Sequence, residues 1–170
     1  MSAAGIRSTT HNPGIRGRAA PRGIQRRQWD GARGDVGFAN VRDVSPGASG
    51  VEKSLLAKQP DTTLRAYVVW VPKKGATEKD VGVATRIVPD LRAMHFWDGT
   101  GATMQQWRQV LGINEDAWDV YFVYDRSAKW TGELPPTPRF WMHQLGGLDE
   151  DKYLDPDVFA AQANAALQVQ

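Results

Sequence analysis

Two apolar runs of β character restrict the fold of this chain more than any other feature. Residues 64–71 read LRAYVVWV and residues 118–125 read WDVYFVYD, and both are rich in β-branched and aromatic side chains. A strand with one face in water alternates between apolar and polar residues, whereas a strand covered on both faces is almost continuously apolar. We therefore expect both runs to be buried strands of a mixed sheet with helices on both sides, which is an α/β fold.

Four segments have the residues that usually begin a helix. A Ser, Thr or Asp side chain accepts a hydrogen bond from the free N–H groups of the first turn, and proline fits there because its missing N–H is not needed. Pro60, Pro89 and Gly112 are expected to end the first three helices. The predicted starts are Ser45-Pro46 (or Ser49-x-x-Glu52 one turn later), Thr77-x-x-Asp80, the turn after Asp98, and Asp155-Pro156.

Three further segments carry weaker strand signals. RAMHFWD (92–98) is expected to be a short strand. RSAKWTGE (126–133) is expected to be the turn and return strand of a hairpin with residues 118–125. RFWMHQL (139–145) is predicted to be an edge strand or a packed coil, and the predicted order of elements is then (β)αβαβαββ(β)α.

The N-terminal segment differs from the rest in composition. Residues 1–34 hold seven arginines and one acid, so this segment carries +6 and the rest of the chain −4, for a net charge of +2. Its apolar residues are isolated and follow no period, so it buries too little surface to offset the entropy lost on ordering. We expect a disordered basic tail over residues 1–34 and a folded domain over 35–170 that begins with a poorly defined strand at Val36 and Phe38.

The basic tail raises the question of nucleic acid. Arginines spread among glycines and prolines can neutralise phosphates without regard to base sequence. The tail has a single aromatic residue, Trp29, and so lacks the stacking residues of a platform for single strands. Nucleic acid is therefore not the expected partner, and a transit peptide or solvated sequence without a function also fits this composition.

The composition excludes several kinds of chemistry. The chain has no cysteine, which removes disulfides, thiolate metal ligands and cysteine nucleophiles. No apolar run approaches the roughly 20 residues of a membrane-spanning helix, and the N-terminus lacks the apolar stretch of a secretory signal. We expect a soluble, cytoplasmic protein without a cofactor or a membrane partner.

Two short strings contain the candidate binding residues. The first string could form a ligand or metal site, and the second could line a pocket or a partner surface. In the competing interpretation these residues are structural, because Asp98 caps a helix, His95 is half-buried, and His143 is hydrogen-bonded at the rim of a core that contains Trp141. One histidine and one carboxylate are also too few for a metal site, which takes about 3–4 protein ligands. HFWDG (95–99) and FWMHQL (140–145) supply the candidates His95, Trp97, Asp98, Trp141 and His143.

A scan for catalytic motifs finds none. Gly-x-Ser-x-Gly is absent, so no serine nucleophile is indicated. DGTGA (98–102) lacks both the lysine of a P-loop and the full spacing of a dinucleotide-binding loop. The partner is left open as an unknown protein or small molecule.

Together with the element order, five strings resemble a group of largely uncharacterised bacterial thioredoxin-like proteins. The resemblance implies the thioredoxin-like fold, in which a strand and a helix precede a central buried strand and a second helix crosses the sheet. An antiparallel hairpin and a closing helix complete that fold. The strings, which cover roughly residues 45–168, are GASGVEKSLL, YVVWVP, TRIVPDLRAMHFWDG, AWDVYFVYDRSAKWTGE and PPTPRFWMHQL.

The resemblance also implies where a redox site would lie. Members of the thioredoxin superfamily usually carry Cys-x-x-Cys where the first strand meets the first helix, whose N-terminus favours the thiolate. Trp118-Asp119 stands where redox members place a cis-proline. The expected function is a thioredoxin-like scaffold that is redox-inactive and serves as a binding or interaction module. The positions that match the cysteine motif are Ser45, Pro46, Gly47 and Ala48.

Two alternatives stay open. The resemblance begins abruptly near Gly47, as a frame-shifted or wrongly started reading would give, so the chain could be a relative of thiol-disulfide oxidoreductases that has lost its first strand and cysteines. Another frame of the upstream DNA would then have to encode a strand followed by Cys-x-x-Cys. A sheet without that strand would have an open edge beside Tyr67–Val71, through which two copies could form a homodimer. The second alternative to the binding module is a nucleic-acid binder that uses the basic tail.

Overall fold

A computed structural model describes residues 46–169 and the backbone of residues 35–38. The predicted tail, residues 1–34, and Ser45 lie outside the described residues. The strands are β1 Asp35–Phe38, β2 Arg65–Trp70, β3 Ala93–Trp97, β4 Val120–Tyr124 and β5 Phe140–His143. The helices are α1 Pro46–Val51, α2 Glu78–Ala84, α3 Ala102–Leu111 and α4 Pro156–Leu167. A π-helix, Glu52–Leu56, continues α1, and a 3-10 helix spans Glu150–Lys152.

The five strands form one mixed sheet in the order β3-β2-β1-β4-β5. β1, β2 and β3 run parallel to one another. β4 lies antiparallel to β1, and β5 lies antiparallel to β4. The predicted α/β class is confirmed.

The two apolar runs form strands that are buried along almost their whole length, as their sequences predict. All five residues of β4 are buried, and so are five of the six residues of β2. Successive side chains point to opposite faces, and Val68 and Trp70 enter one apolar cluster while Tyr67 enters another. Residues of α1, α2 and α4 complete the first cluster, and Trp107 of α3 packs in the second. Helices therefore cover both faces of the sheet.

The first strand is present, which corrects the expectation that it is missing or poorly defined. β1 pairs with β2 from Asp35↔Arg65 to Phe38↔Val68 and lies between β2 and β4. The edge beside Tyr67–Val71 is therefore not open, because β1 occupies it at Tyr67 and Val68. The predicted homodimer through this edge therefore loses its premise, which was the absence of the first strand.

The partner of β4 is a later segment than the sequence predicts. Residues 126–133 form no strand, and β4 pairs instead with β5, from Val120↔His143 to Val123↔Phe140. Trp130, whose burial gives the earlier segment its apolar character, packs edge-on against Trp107 at 5.8 Å between ring centroids. The connection up to residue 139 contains three prolines, which cannot donate to a ladder. An antiparallel partner of β4 is thus present as predicted, but RFWMHQL supplies it as an edge strand, and residues 126–133 do not.

The predicted helix starts agree with the structure, whereas two of the three predicted ends lie too late, since the π-helix after α1 ends at Leu56 and α2 ends at Ala84, before Pro60 and Pro89. α1 begins at Pro46, the earlier of its two predicted starts. The backbone N–H of Thr77 donates to the Asp80 carboxylate at 2.8 Å, and Asp155 accepts from the first turn of α4. Gly112 follows α3 with a left-handed φ of 66°, a conformation that glycine adopts without strain.

Candidate functional site

The start of α1 packs against a small group of polar side chains. Pro46 is exposed, whereas Gly47 and Ala48 are buried. A Cβ atom on Gly47 would collide with the Tyr121 hydroxyl, the Gln144 side chain and Leu154, so only glycine fits here without a shift of its neighbours. The α1 backbone therefore lies directly on β4 and on the residue that follows β5.

The polar group beneath Gly47 is hydrogen-bonded within itself. The Tyr121 hydroxyl donates to the Asp119 carboxylate at 2.9 Å and lies 3.1 Å from Gln144 Oε1. Asp119 follows Trp118, and the described residues contain no cis peptide bond. Because thiol-disulfide exchange requires a thiolate, this arrangement has no group that can carry out the reaction.

His95, on β3, uses both ring nitrogens inside the fold. Its Nδ1 accepts a hydrogen bond from the Trp70 indole N–H at 3.1 Å, and its Nε2 lies 3.1 Å from the Val88 carbonyl oxygen, to which it donates. Burial lowers the pKa of His95 below its usual value, although the bond to Val88 opposes this. His95 is therefore a neutral, structural side chain with no nitrogen left for a ligand.

Asp98 caps the first turn of α3. Its carboxylate accepts hydrogen bonds from the backbone N–H groups and hydroxyls of Thr100 and Thr103 and from the N–H of Gly101, at 2.6–3.1 Å. Burial by itself raises the pKa of Asp98, but these hydrogen bonds outweigh it and hold the pKa below its usual value. Trp97 is half-buried against the first apolar cluster.

His143, on the strand at the other edge of the sheet, also uses both ring nitrogens within the fold. It is 1% exposed, its Nδ1 accepts from the Leu145 N–H at 3.1 Å, and its Nε2 donates to the Asp149 carbonyl at 3.0 Å. β3 and β5 are the two outer strands, with three strands between them. At about 4.8 Å per strand, His95 and His143 are about 19 Å apart. The two candidate strings therefore do not form one site.

Trp141 lies in an open groove beside β5. The groove has a volume of about 380 Å³, and its lining includes Leu111 at the end of α3, Pro138 and Arg139 before β5, and Asp151. Lys152 Nζ lies over the half-buried Trp141 ring, 4.2 Å from its centroid. Arg139 is paired with Asp125 at 3.1 Å and keeps about two-fifths of its side chain exposed. Because Arg139 is already paired and Asp151 also lines the groove, Lys152 beside the Trp141 ring is the group best placed to attract a planar or anionic ligand.

The sequence does not identify Arg139 and Lys152 as part of this groove. Arg139 lies two residues before Trp141 along an edge strand, and Lys152 comes from the 3-10 helix that folds back beside it. The only sequence signal is the nearness of Arg139 to a tryptophan. The position of Lys152 depends on the turn after His143, where the Leu154 N–H donates to the His143 carbonyl at 2.8 Å.

No model of a protein family matches this chain, and no curated protein matches it. Among the described residues, no group of three or more His, Asp or Glu side chains is placed to hold a metal ion. None of the helices in that part of the chain has both the length and the apolar composition needed to cross a membrane.

Proposed function

We propose that this chain is a redox-inactive binding module on a thioredoxin-like scaffold. The order of elements supports the scaffold. β1, α1 and β2 form a parallel unit, α2 follows, and β4, β5 and α4 add an antiparallel pair with a closing helix. This order of elements is similar to the one that the sequence resemblance implies, except that β3 and α3 are inserted before the antiparallel pair and that β1, not β2, is the central strand.

One observation carries the redox-inactive half of the proposal. The segment that would bear Cys-x-x-Cys, at the start of α1, contains Pro46, Gly47 and Ala48 and no sulfur. Gly47 lies against Tyr121 and Gln144, so the scaffold at this point is closely packed. Without a thiolate there is no nucleophile for attack on a disulfide.

The groove beside β5 supports the binding half. Binding sites are concave and combine apolar walls with a few polar groups that orient the ligand. The Trp141 indole, with Lys152 and Arg139 beside it, meets this description on a strand whose backbone is held by β4.

The decisive experiment adds the missing sulfur. Ser45→Cys combined with Ala48→Cys produces Cys-Pro-Gly-Cys at the start of α1. The unmodified chain should not accelerate the reduction of insulin by dithiothreitol, whereas the double variant should do so. Ser45→Cys alone is the matched control and should be inactive. Activity of the unmodified chain would exclude the redox-inactive assignment, and a folded double variant whose two cysteines form no disulfide under oxidising conditions would exclude the scaffold.

The binding surface is tested separately with 8-anilinonaphthalene-1-sulfonate, an aromatic anion whose fluorescence rises in apolar surroundings. We expect Lys152→Gln to weaken binding of this probe several-fold, because the cation beside Trp141 is lost. Lys129→Gln removes an exposed lysine outside the groove and is the control. Equal binding by both variants would mean that the groove is not the binding surface.

A further inference from the structure

The groove beside Trp141 contains a cation without an acidic partner. Lys152 is half-buried over the Trp141 ring, and none of the ion pairs in the described part of the chain includes it. The three residues before it, Asp149, Glu150 and Asp151, are exposed acids that are likewise absent from those ion pairs. Apolar residues at the end of α3 and before β5 complete the lining. The groove thus combines an apolar wall, one cation and a run of three acids.

A short segment before β1 has the complementary composition. Residues 26–30 read RRQWD, and Trp29 and Asp30 are the only aromatic residue and the only acid that precede β1. An indole buries a large apolar area and packs well against another aromatic ring. The Asp30 carboxylate complements Lys152, and the two arginines complement the acids of residues 149–151. Opposite charges in matching order fix the register of an interface.

The chain enters the sheet close to this groove. Asp35 pairs with Tyr124, and the register of β4 with β5 places Arg139, which lines the groove, opposite Tyr124. Two strand spacings, or about 10 Å, therefore separate Asp35 from Arg139. The five residue steps from Asp30 to Asp35 span up to about 17 Å when the chain is extended. Residues 26–30 can therefore reach the groove while β1 stays in place.

We propose that residues 26–30, which lie outside the described residues, bind in the groove of their own chain and compete there with the ligand. The Trp29 indole packs on the apolar wall beside Trp141, and Asp30 pairs with Lys152. A ligand then binds only by displacing this segment, whose short connection to β1 gives it a high effective concentration at the groove. The inference rests on the proposed function, because it takes the groove as the binding site, and it adds how that site is regulated.

The first test replaces the proposed ion pair with a disulfide. The chain has no cysteine, so Asp30→Cys combined with Lys152→Cys introduces the only two thiols. On oxidation of the full chain we expect them to join within one molecule several-fold faster than in the control, Asp30→Cys combined with Lys129→Cys. Lys129 is exposed and follows β4 at the end of the sheet where Asp35 enters. Equal rates for the two pairs would overturn the proposal, and so would a disulfide that joins two molecules.

The second test measures competition with 8-anilinonaphthalene-1-sulfonate on the full chain. Trp29→Ala combined with Asp30→Asn removes both anchors of the segment, so this double variant should bind the probe several-fold more tightly than the unmodified chain. Arg7→Gln changes the same N-terminal part of the chain outside residues 26–30 and is the control, which should bind the probe as the unmodified chain does. Unchanged binding by the double variant would overturn the inference.

Lys152→Gln separates this inference from the proposed function. In the double variant it should weaken probe binding more than in the unmodified chain, where the same substitution also loosens the competing segment. An equal weakening in both would mean that the groove binds the probe but is not occupied by residues 26–30, which overturns the inference alone. No weakening in either would mean that the groove is not a binding surface, and the proposed function would fail as well.

Discussion

His95 illustrates how a titratable side chain becomes part of the sheet's internal structure. It lies 5.9 Å from Trp70 between ring centroids, with the two rings nearly parallel at 4°, and it accepts the indole N–H. Protonation of Nδ1 would remove that acceptor while leaving a charge in a half-buried place. The folded chain therefore resists protonation of His95.

The pH dependence of stability follows from this. The unfolded chain takes up a proton on His95 near pH 6.5, whereas burial lowers the pKa of the folded chain below that value. The contribution of His95 to the free energy of unfolding is thus fully present above pH 6.5. It is lost as the pH falls toward the lowered pKa, by up to about 1.4 kcal/mol per pH unit. Urea unfolding at pH 7.5 and 5.5 should show a smaller loss for His95→Gln, which can still accept from Trp70 and donate to Val88. An identical loss in both proteins would contradict the assigned environment of His95.

Gly47 gives a prediction about close packing. Alanine is the better helix residue by about 1 kcal/mol, but its Cβ atom would collide with Tyr121, Gln144 and Leu154. Overpacking costs about 1–3 kcal/mol, so after the gain in helix propensity Gly47→Ala should lower the free energy of unfolding in urea by up to about 2 kcal/mol. Gly146→Ala, with nothing within 4 Å of the added atom, is the control and should be almost neutral. A stabilised Gly47→Ala protein would mean that α1 does not lie this close to β4.

Local contacts of a residue can be recognised in this sequence, whereas tertiary contacts cannot. Asp98 is recognisable as a helix cap because its partners, Thr100 and Thr103, follow within five positions. Lys152 is not recognisable as a neighbour of Trp141, because a tertiary turn brings the two together. Local hydrogen bonds leave a signal in sequence spacing, and tertiary contacts of exposed side chains leave little.

At the scale of elements, Arg92 joins the end of the π-helix to the start of β3. Its guanidinium donates to the carbonyls of Leu56, Gln59 and Asp61, at 2.5–3.0 Å. It also pairs with the Asp90 carboxylate at 2.7 Å. The hydrogen bond from Arg92 is the main cause that lowers the pKa of Asp90, and the same bond is the main cause that raises the pKa of Arg92. One planar side chain thus satisfies several carbonyls that the helix end leaves without an N–H partner.

Arg92→Lys tests this connection. Lysine keeps the charge but cannot reproduce the planar fork, so we expect a loss of about 2–4 kcal/mol in the free energy of unfolding as carbonyls lose their partner. Arg86→Lys, at an exposed arginine after α2, should change stability very little. If the two variants were equally stable, Arg92 would not be holding these elements together.

Elements with a strong local pattern were predictable, and those defined by pairing were not. β2 and β4 are recognisable because burial on both faces imposes continuous apolar character. The wrong return strand, residues 126–133, arises because Trp130 is buried by ring packing and not by strand pairing. Apolar content reports burial, and it does not distinguish a strand from a packed loop.

For the whole molecule, the two faces of one sheet carry the core. Trp70 is 1% exposed and belongs to the larger cluster, which joins α1, α2 and α4. Trp70→Ala should lower the free energy of unfolding by about 3–5 kcal/mol, a large part of the roughly 5–15 kcal/mol that domains have. Trp97→Ala, at a half-buried tryptophan of the neighbouring strand, should cost clearly less in the same denaturant titration. A loss below about 1 kcal/mol for Trp70→Ala would mean that β2 is not part of the core.

The placement of β1 has a consequence for the order in which the molecule assembles. β1 lies at the centre of the sheet, yet its antiparallel neighbour is made much later, since Asp35 pairs with Tyr124. Closing so long a stretch of chain costs entropy before any contact compensates for it. During synthesis, the part of the sheet made of β1, β2 and β3 is therefore complete before β4 exists. One edge of β1 stays unpaired with β4 until the ribosome has released that strand.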